Sequence, residues 1–321
     1  MTGAPGLSSL LSNGSHRTAW ADLPDEVRHW AEGLLGGPVV EAVTTAGGFS
    51  PGAVCRLRTS GGRRAFVKAV SSRVNERSAE LHRRELRVAA GLHTDPAVPT
   101  LWGGYDDGVW VALMSDDVGG TTPRLPWRND DVLRVLTALA EFQRRNTPAR
   151  VDGLEQAAVA NATALRAWQR LAEAPPADLD DWSRRNLERL AAVEATWPSL
   201  THGDGLLHGD LRADNIVLAG AEVMLVDWPW ASLGPGWLDV VNFAPTVTTM
   251  GGPEPEWVLA HSPSMRDAPS EGVTAAAVAA AGFYTEQEHL PPPPGLWDPR
   301  PWQRAQARTC RDWIRHRTGW R

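Results

Sequence analysis

The chain has 321 residues, of which 42% are hydrophobic and 22% are charged. This composition is typical of a globular protein, and the length allows a large core divided between two lobes. The net charge of −6 argues against a nucleic-acid or anionic-membrane partner and is compatible with a cationic small-molecule substrate. The two cysteines, Cys55 and Cys310, suit a reducing cytoplasm better than a disulfide framework.

Residues 1–19 are predicted to be a flexible tail, because the segment is rich in Gly, Ser and Asn. It has neither the cationic start nor the long apolar centre of a signal peptide. The apolar stretch Val273 to Phe283 is too short to span a bilayer. We therefore expect a cytoplasmic protein.

Residues 20–115 are predicted to form an N-terminal lobe. A helix is expected to open at Asp22 and to end at Gly36-Gly37. Alternating apolar residues and glycine-rich turns then predict five strands and one inserted helix. The strands are expected at 39–45, 53–59, 65–70, 101–104 and 109–114, and the helix at 75–93. The lobe should therefore be a mostly antiparallel five-stranded sheet.

The polar, glycine-rich residues 116–124 are predicted to be a hinge, and residues 125–321 a larger, mainly helical lobe. A β-rich island is expected from His208 to Val226, and Pro291 to Pro294 should be a rigid connector. Helices are predicted at 130–145, 159–173, 181–196, 255–261, 271–288 and 301–317. The predicted fold class is thus α+β with two lobes.

Lys68 is the only lysine in a chain with 32 lysine and arginine residues. Lysine is a compact point charge on a flexible stem, whereas arginine is a bulky planar fork. A lysine retained in a chain that otherwise uses arginine indicates a site where a small cationic tip is needed. Lys68 lies within the third predicted strand, in the run Ala-Phe-Val-Lys-Ala-Val.

The most specific motif begins at His208 and reads His-Gly-Asp-Leu-Arg-Ala-Asp-Asn, followed by an apolar strand. A second apolar strand ends at Asp227. Phosphoryl transfer needs a carboxylate that orients a hydroxyl and accepts its proton, and it needs amide and carboxylate oxygens that hold Mg²⁺ against the phosphates. Asp210, Asn215 and Asp227 have the residue types that this chemistry requires.

These motifs resemble those of the aminoglycoside phosphotransferase family of small-molecule kinases, which has a protein-kinase-like fold. The resemblance covers about residues 20 to 321 and implies that Asp210 is the catalytic base. It implies that Asn215 and Asp227 bind Mg²⁺, and that ATP or GTP donates the phosphoryl group. Recognition of the base through the backbone leaves no side-chain signature, so the choice between ATP and GTP stays open.

The resemblance assigns supporting roles to residues around this motif. His208 should brace the catalytic loop, and Asp239 should accept hydrogen bonds from the backbone of that loop. Two interpretations of Arg212 stay open: contact with the γ-phosphate, or a surface salt bridge. Asp214 is expected to be solvated.

In the N-terminal lobe, the resemblance implies a glycine-rich loop over the nucleotide phosphates. The loop comprises Gly47, Gly48, Phe49, Ser50 and Gly52. Its glycines allow the backbone to approach the phosphates closely, and Ser50 is a candidate phosphate donor.

Lys68 should contact the α- and β-phosphates and pair with a glutamate of the next helix. Glu80 and Glu85 are both candidates, and Glu85 fits the family register better. The backbone near Met114 and Ser115 should hydrogen-bond the nucleotide base.

Only a short glycine- and proline-rich loop separates Asp227 from Asp239, where protein kinases carry a long activation segment. A small-molecule acceptor is therefore favoured over a protein. The leading hypothesis is phosphorylation of a hydroxylated antibiotic, aminoglycoside-like or other, for resistance or self-protection. The alternatives are a metabolic kinase of an amino alcohol, sugar or homoserine-like hydroxyl, and a non-catalytic pseudokinase. Monomer and homodimer stay equally open.

Six acidic residues of the C-terminal region are available in principle for a cationic acceptor, although solvated helix faces explain such charges as well. They are Glu254, Glu256, Asp267, Glu271, Glu286 and Glu288. None is assigned as a ligand.

Overall fold

The computed structural model describes residues 17–45, 51–293 and 298–321. The N-terminal lobe is built on one sheet in which every neighbouring pair of strands is antiparallel, in the order β1-β2-β3-β5-β4. The strands are β1 (Val39–Thr44), β2 (Ala53–Thr59), β3 (Arg64–Ser71), β4 (Leu101–Asp106) and β5 (Trp110–Ser115). The predicted five-stranded antiparallel sheet is confirmed.

Helix α1 (Asp25–Leu35) covers the outer face of this sheet. It begins at Asp25 rather than at the predicted Asp22, because Leu23 precedes a proline and is extended, with ψ at 147°. A short 3₁₀ turn occupies Trp20–Asp22 instead. The apolar side of α1 packs on alternate residues of the central strands, among them Cys55 and Val67.

Side chains alternate between the two faces of a strand, so Lys68 lies on the face opposite Val67. Helix α2 (Glu76–Gly91) packs on that inner face, where its Ala79 joins Val70 and Val111 in a small buried cluster. The side chain of Asn75 caps α2 by accepting a 2.8 Å hydrogen bond from the amide of Ser78. The pairing of β3 with α2 therefore aims Lys68 at the helix that carries Glu85.

The C-terminal lobe is mainly helical, as predicted. Its helices are α3 (Asn129–Arg145), α4 (Ala157–Ala160), α5 (Ala167–Glu173), α6 (Asp181–Glu194), α7 (Trp197–Leu200), α8 (Trp237–Thr249), α9 (Pro255–His261), α10 (Ser270–His289) and α11 (Arg300–Thr318). Among the described ranges, none of these helices is long and apolar enough to cross a membrane.

The helix predictions for this lobe needed correction. The single helix predicted at 159–173 is divided into α4 and α5, and the side chain of Asn161 donates a 3.1 Å hydrogen bond to the carbonyl of Ala157 where α4 ends. Helix α8 was not predicted at all. It lies in the core and contains Pro245, so tertiary packing overrides its poor helix propensity.

Two small antiparallel ribbons flank the loop from His208 to Asn215. One pairs β6 (Gly205–Leu207) with β9 (Ser232–Gly234), and the other pairs β7 (Ile216–Ala219) with β8 (Glu222–Leu225). The island predicted from His208 to Val226 is therefore partly strand. Its first half is a loop between β6 and β7.

Candidate active site

The loop from His208 to Asn215 is held by a buried carboxylate. Asp239, on the first turn of α8, accepts hydrogen bonds from the amides of His208 (2.8 Å) and Gly209 (3.0 Å). Burial raises the pKa of Asp239 to about 6. This anchors the loop to α8 and gives Asp239 the contacts that its supporting role requires.

His208 is fully buried and is held in one neutral tautomer. Its Nε2 lies 2.9 Å from the carbonyl of Val226, and its Nδ1 accepts a 3.3 Å hydrogen bond from the amide of Asp210. A carbonyl can only accept, so Nε2 carries the proton. Burial lowers the pKa of His208 to about 4. The imidazole thus links Asp210 to the residue that precedes Asp227.

Gly209 occupies a position that other residues cannot adopt without strain. Its φ is +79°, and a Cβ atom at this position would lie 2.4 Å from the carbonyl oxygen of Trp230. The glycine therefore allows the catalytic loop to pass directly beneath the segment that follows Asp227.

Asp210 is surrounded by partners that orient its carboxylate. The Nδ2 of Asn215 donates to the Asp210 carbonyl (2.7 Å) and to Oδ2 (3.2 Å), while Arg212 Nη2 lies 3.4 Å from the same Oδ2. Burial raises the pKa of Asp210 to about 7 against the opposing effect of Arg212. A carboxyl group with this pKa can accept a proton near neutral pH.

Arg212 is buried, so of its two interpretations the surface salt bridge does not fit the structure. It lies between Asp210 and Asp214, with Nη2 3.2 Å from Asp214 Oδ2. The side chain of Asp214 is only 13% exposed, so it is not solvated as expected. The burial of Arg212 and that of Asp214 have the same cause. Charged side chains can stay buried when they are paired, and Arg212 pairs with both Asp210 and Asp214.

Lys68 lies between two carboxylates. Its Nζ is 2.7 Å from Glu85 Oε1 and 2.5 Å from Asp227 Oδ1. Burial disfavours the ammonium, but the two carboxylates outweigh it and raise the pKa of Lys68. Of the two candidate glutamates, Glu85 contacts the lysine, whereas Glu80 is exposed and pairs with Arg77.

Asp227 has φ at +71° and is the only described residue other than glycine with a positive φ. Such a conformation costs about 1–2 kcal/mol. Burial opposes ionisation of Asp227, but the ammonium of Lys68 lowers its pKa. The amide of Val226 donates a 3.0 Å hydrogen bond to the carbonyl of Asn215, which brings the two predicted metal-ligand segments together.

The charges of this cluster suit a divalent cation. Four carboxylates (Glu85, Asp210, Asp214 and Asp227) share two cations (Lys68 and Arg212). No group of three His, Cys, Asp or Glu side chains within the described ranges forms a complete metal cage. Mg²⁺ is commonly held by one or two protein oxygens together with phosphates and water, so the residues present fit this ion.

The nucleotide-binding predictions are only partly within the described ranges. Gly47, Gly48, Phe49 and Ser50 lie outside them. At Gly52, a Cβ atom would lie 2.2 Å from the carbonyl of Ala69, so this position needs a glycine.

Met114 is buried against α1, and its strand partner is Val67. Ser115 pairs with Phe66 at the last position of β5. Because the Met114 side chain is buried beneath α1, it is not available to a nucleotide base.

A cavity of about 530 Å³ is lined by Asp210, by Asp227 and by residues of α8 and α10. Sequence reasoning missed these wall residues and His82 of α2. His82 is buried, and its Nδ1 forms a hydrogen bond with the carbonyl of Ser78. Its Nε2 has no hydrogen-bond partner within the described ranges. The only signal in the sequence was the four-residue spacing of Ala276 and Ala280, which places both residues on one face of a helix.

The profile of the phosphotransferase enzyme family, APH, matches residues 43–309. The chain belongs to this family. Members of this family are kinases that phosphorylate hydroxyl groups of small molecules, so this chain is an enzyme of that class. No curated protein matches the chain in sequence.

Solved structures with the same fold include the choline kinase LicA from Streptococcus pneumoniae, with a TM-score of 0.58 and 13% identity over 89% of this chain and 98% of the other. The amicoumacin kinase hAmiN, in complex with AMP-PNP, Ca²⁺ and Ami, has a TM-score of 0.55 and 11% identity over 92% and 94%. The kinase APH(2")-IIia, in complex with GDP and kanamycin, has a TM-score of 0.54 and 13% identity over 91% and 98%. At these identities the likeness establishes the fold and does not assign a substrate.

Proposed function

We propose that this phosphotransferase moves the γ-phosphoryl group of ATP or GTP to a hydroxyl group of a small hydroxylated natural product. The observation that carries the proposal is the Lys68–Glu85–Asp227 contact at one cavity with Asp210. It brings a phosphate-binding cation, a metal-binding carboxylate and a proton acceptor to the same space. These groups are the parts that phosphoryl transfer requires.

In the proposed mechanism, Lys68 binds the α- and β-phosphates while Glu85 fixes its position. Asp227 and Asn215 would hold Mg²⁺, which would neutralise charge on the phosphates. Asp210 orients the acceptor hydroxyl and takes its proton as the oxygen forms a bond to the γ-phosphorus. The bond from that phosphorus to the leaving diphosphate breaks, so charge and atoms balance. Arg212 adjusts the basicity of Asp210 through their ion pair.

The proposal includes ATP or GTP as the phosphoryl donor and the cytoplasm as the place where the enzyme acts. The relatives with bound AMP-PNP and bound GDP support a nucleoside triphosphate donor without deciding the base. Cys55 and Cys310 are both free and buried, which fits a reducing cytoplasm.

The proposed biological role is resistance or self-protection through phosphorylation of an antibiotic. The fold neighbour that carries kanamycin supports an antibiotic acceptor, whereas the neighbouring choline kinase favours the metabolic alternative. Profiling of hydroxylated antibiotics and amino alcohols with mass spectrometry of the products separates the two roles.

The deciding experiment is Asp210→Asn. Loss of the proton acceptor should lower turnover by about 10³-fold, while the nucleotide dissociation constant should change little, because Asp210 faces the acceptor. ADP release and calorimetric nucleotide binding measure the two quantities. Asp312→Asn on the exposed face of α11 is the matched control. Near wild-type turnover of Asp210→Asn would refute the assigned base, and nucleotide binding without any phosphorylated product would indicate a pseudokinase.

A further inference from the structure

Among the described residues, four carboxylates line the 530 Å³ cavity, namely Glu85, Asp210, Asp227 and Asp239. The remaining described residues of the lining carry no negative charge. All four belong to the catalytic cluster or to its backbone anchor. None of them is free to bind a cation on the distant part of an acceptor.

The six acidic residues considered for a cationic acceptor form contacts outside the cavity or are exposed to solvent. Glu286 forms two hydrogen bonds to Arg170, both 2.6 Å. Glu288 pairs with Arg311 at 2.5 Å, and Glu256 accepts from Trp313 and Arg317. Glu254, Asp267 and Glu271 are exposed and do not line the cavity.

The walls themselves are apolar or carry neutral polar groups. Apolar side chains come from α7, α8, α10 and α11, namely Trp197, Leu238, Ala276, Ala280 and Trp302. Asn242 and Thr246 of α8 supply neutral polar groups on the same surface.

The titratable groups of these walls are also uncharged. Burial lowers the pKa of His82 to about 4, and burial raises the pKa of the Tyr284 hydroxyl. Apart from Arg212 and the four carboxylates, the one charged side chain among the described lining residues is Arg77, whose guanidinium lies over the ring of Trp230 at 5.6 Å. A cationic acceptor would lose water here and gain no counter-ion.

We infer that the acceptor of this kinase is a neutral alcohol with a largely apolar body, and not a polycation. The inference rests on the proposed phosphotransferase function and narrows its substrate class. The hydroxyl of such a molecule reaches Asp210, while its apolar part contacts the faces of α8 and α10. Asn242 and Thr246 are available for one or two neutral hydrogen bonds.

The test uses pairs of alcohols that differ only in charge. One pair is 3,3-dimethylbutan-1-ol and choline, and the other is 4-tert-butylbenzyl alcohol and its 4-trimethylammonio analogue. Kanamycin serves as the polycation. Binding to the full chain with nucleotide and Mg²⁺ is measured by calorimetry, and phosphorylation by ADP release with mass spectrometry. We expect the neutral member of each pair to bind at least about tenfold more tightly.

Asn242→Asp provides an isosteric variant that adds one negative charge to the wall. It should reduce the preference for the neutral member by about fivefold or more. Asn129→Asp, at the exposed start of α3, is the matched control and should leave the preference unchanged.

Three outcomes would overturn the acceptor class. They are equal or tighter binding of the cationic members or kanamycin, no binding of either neutral probe, and an unchanged preference in Asn242→Asp. Failure of the proposed function has a different signature, since a chain that is no phosphotransferase forms no phosphorylated product from any alcohol, neutral or cationic.

Discussion

At the scale of single residues, Lys68 is the residue for which sequence and structure agree most closely. Its rarity in an arginine-rich chain singled it out, and in the fold its ammonium contacts both Glu85 and Asp227. Its side chain is only 13% exposed, so the space around it is already filled. A compact ammonium fits between the two carboxylates, whereas a planar guanidinium needs more room.

Lys68→Arg should therefore lower kcat/KM by at least about a hundredfold although the charge is kept, because a small misplacement of the phosphate-binding cation disturbs transfer. Steady-state kinetics would measure the loss, and circular dichroism would show that the fold is retained. Arg58→Lys, the same exchange in reverse on the exposed side of β2, should be neutral. A fully active Lys68→Arg enzyme would contradict the role given to this lysine.

The pKa of Asp210 predicts how the rate depends on pH. Burial raises this pKa to about 7, and the base must be ionised to accept a proton. The value of kcat/KM should thus fall about tenfold per unit below pH 7 and level off above it. Arg212 opposes the shift, so Arg212→Gln should move the acidic limb to higher pH. If the acidic limb of the kcat/KM profile lies at the same pH in Arg212→Gln as in the wild type, Arg212 does not act on Asp210.

At the scale of elements, sequence patterns identified the sheet and most helices because their periodicities are regular. They failed at α8, where Val240, Val241 and Phe243 together with Pro245 look unsuitable for a helix. Burial on nearly every side decides its conformation, and a single sequence does not reveal burial. The acceptor walls were missed for the same reason, since Asn242 and Ala276 become neighbours of one cavity only through folding.

The turn at Gly209 offers a test of the catalytic loop as an element. Gly209→Ala should destabilise the protein by more than about 2 kcal/mol, because it combines a positive φ with a clash against the Trp230 carbonyl. Gly220→Ala has a similar φ of +62° but open space around it, and should cost about 1 kcal/mol. Urea denaturation compares the two variants, and equal losses would show that the close approach at Gly209 is unimportant.

At the scale of the whole molecule, an ion pair joins the segment between α2 and β4 to the helical lobe, in addition to the contact of Lys68 with Asp227. Asp95, after α2, accepts hydrogen bonds from Arg145 (2.8 Å) and Asn146 (2.8 Å), which lie at the end of α3. The Asp95 side chain is only 8% exposed. Burial alone would raise its pKa, but the hydrogen bonds from Arg145 and its neighbours lower it.

Asp95→Asn should therefore reduce the free energy of unfolding by about 1–3 kcal/mol at pH 7. A lowered carboxyl pKa stabilises the fold above the pKa of the unfolded chain, which is about 3.9. This contribution disappears as the pH falls through the folded pKa, so the variant and the wild type should converge below about pH 4. Thermal unfolding followed across this pH range is the measurement, and a constant difference at every pH would contradict the assignment.

The contact of Lys68 with Glu85 and Asp227 also bears on how the cell controls this enzyme. In many switchable enzymes an ordering step must assemble such a contact before catalysis begins. Here the three groups are in direct contact in the folded chain. We expect the first turnover to begin without a delay, so that output follows the number of copies made and the supply of acceptor.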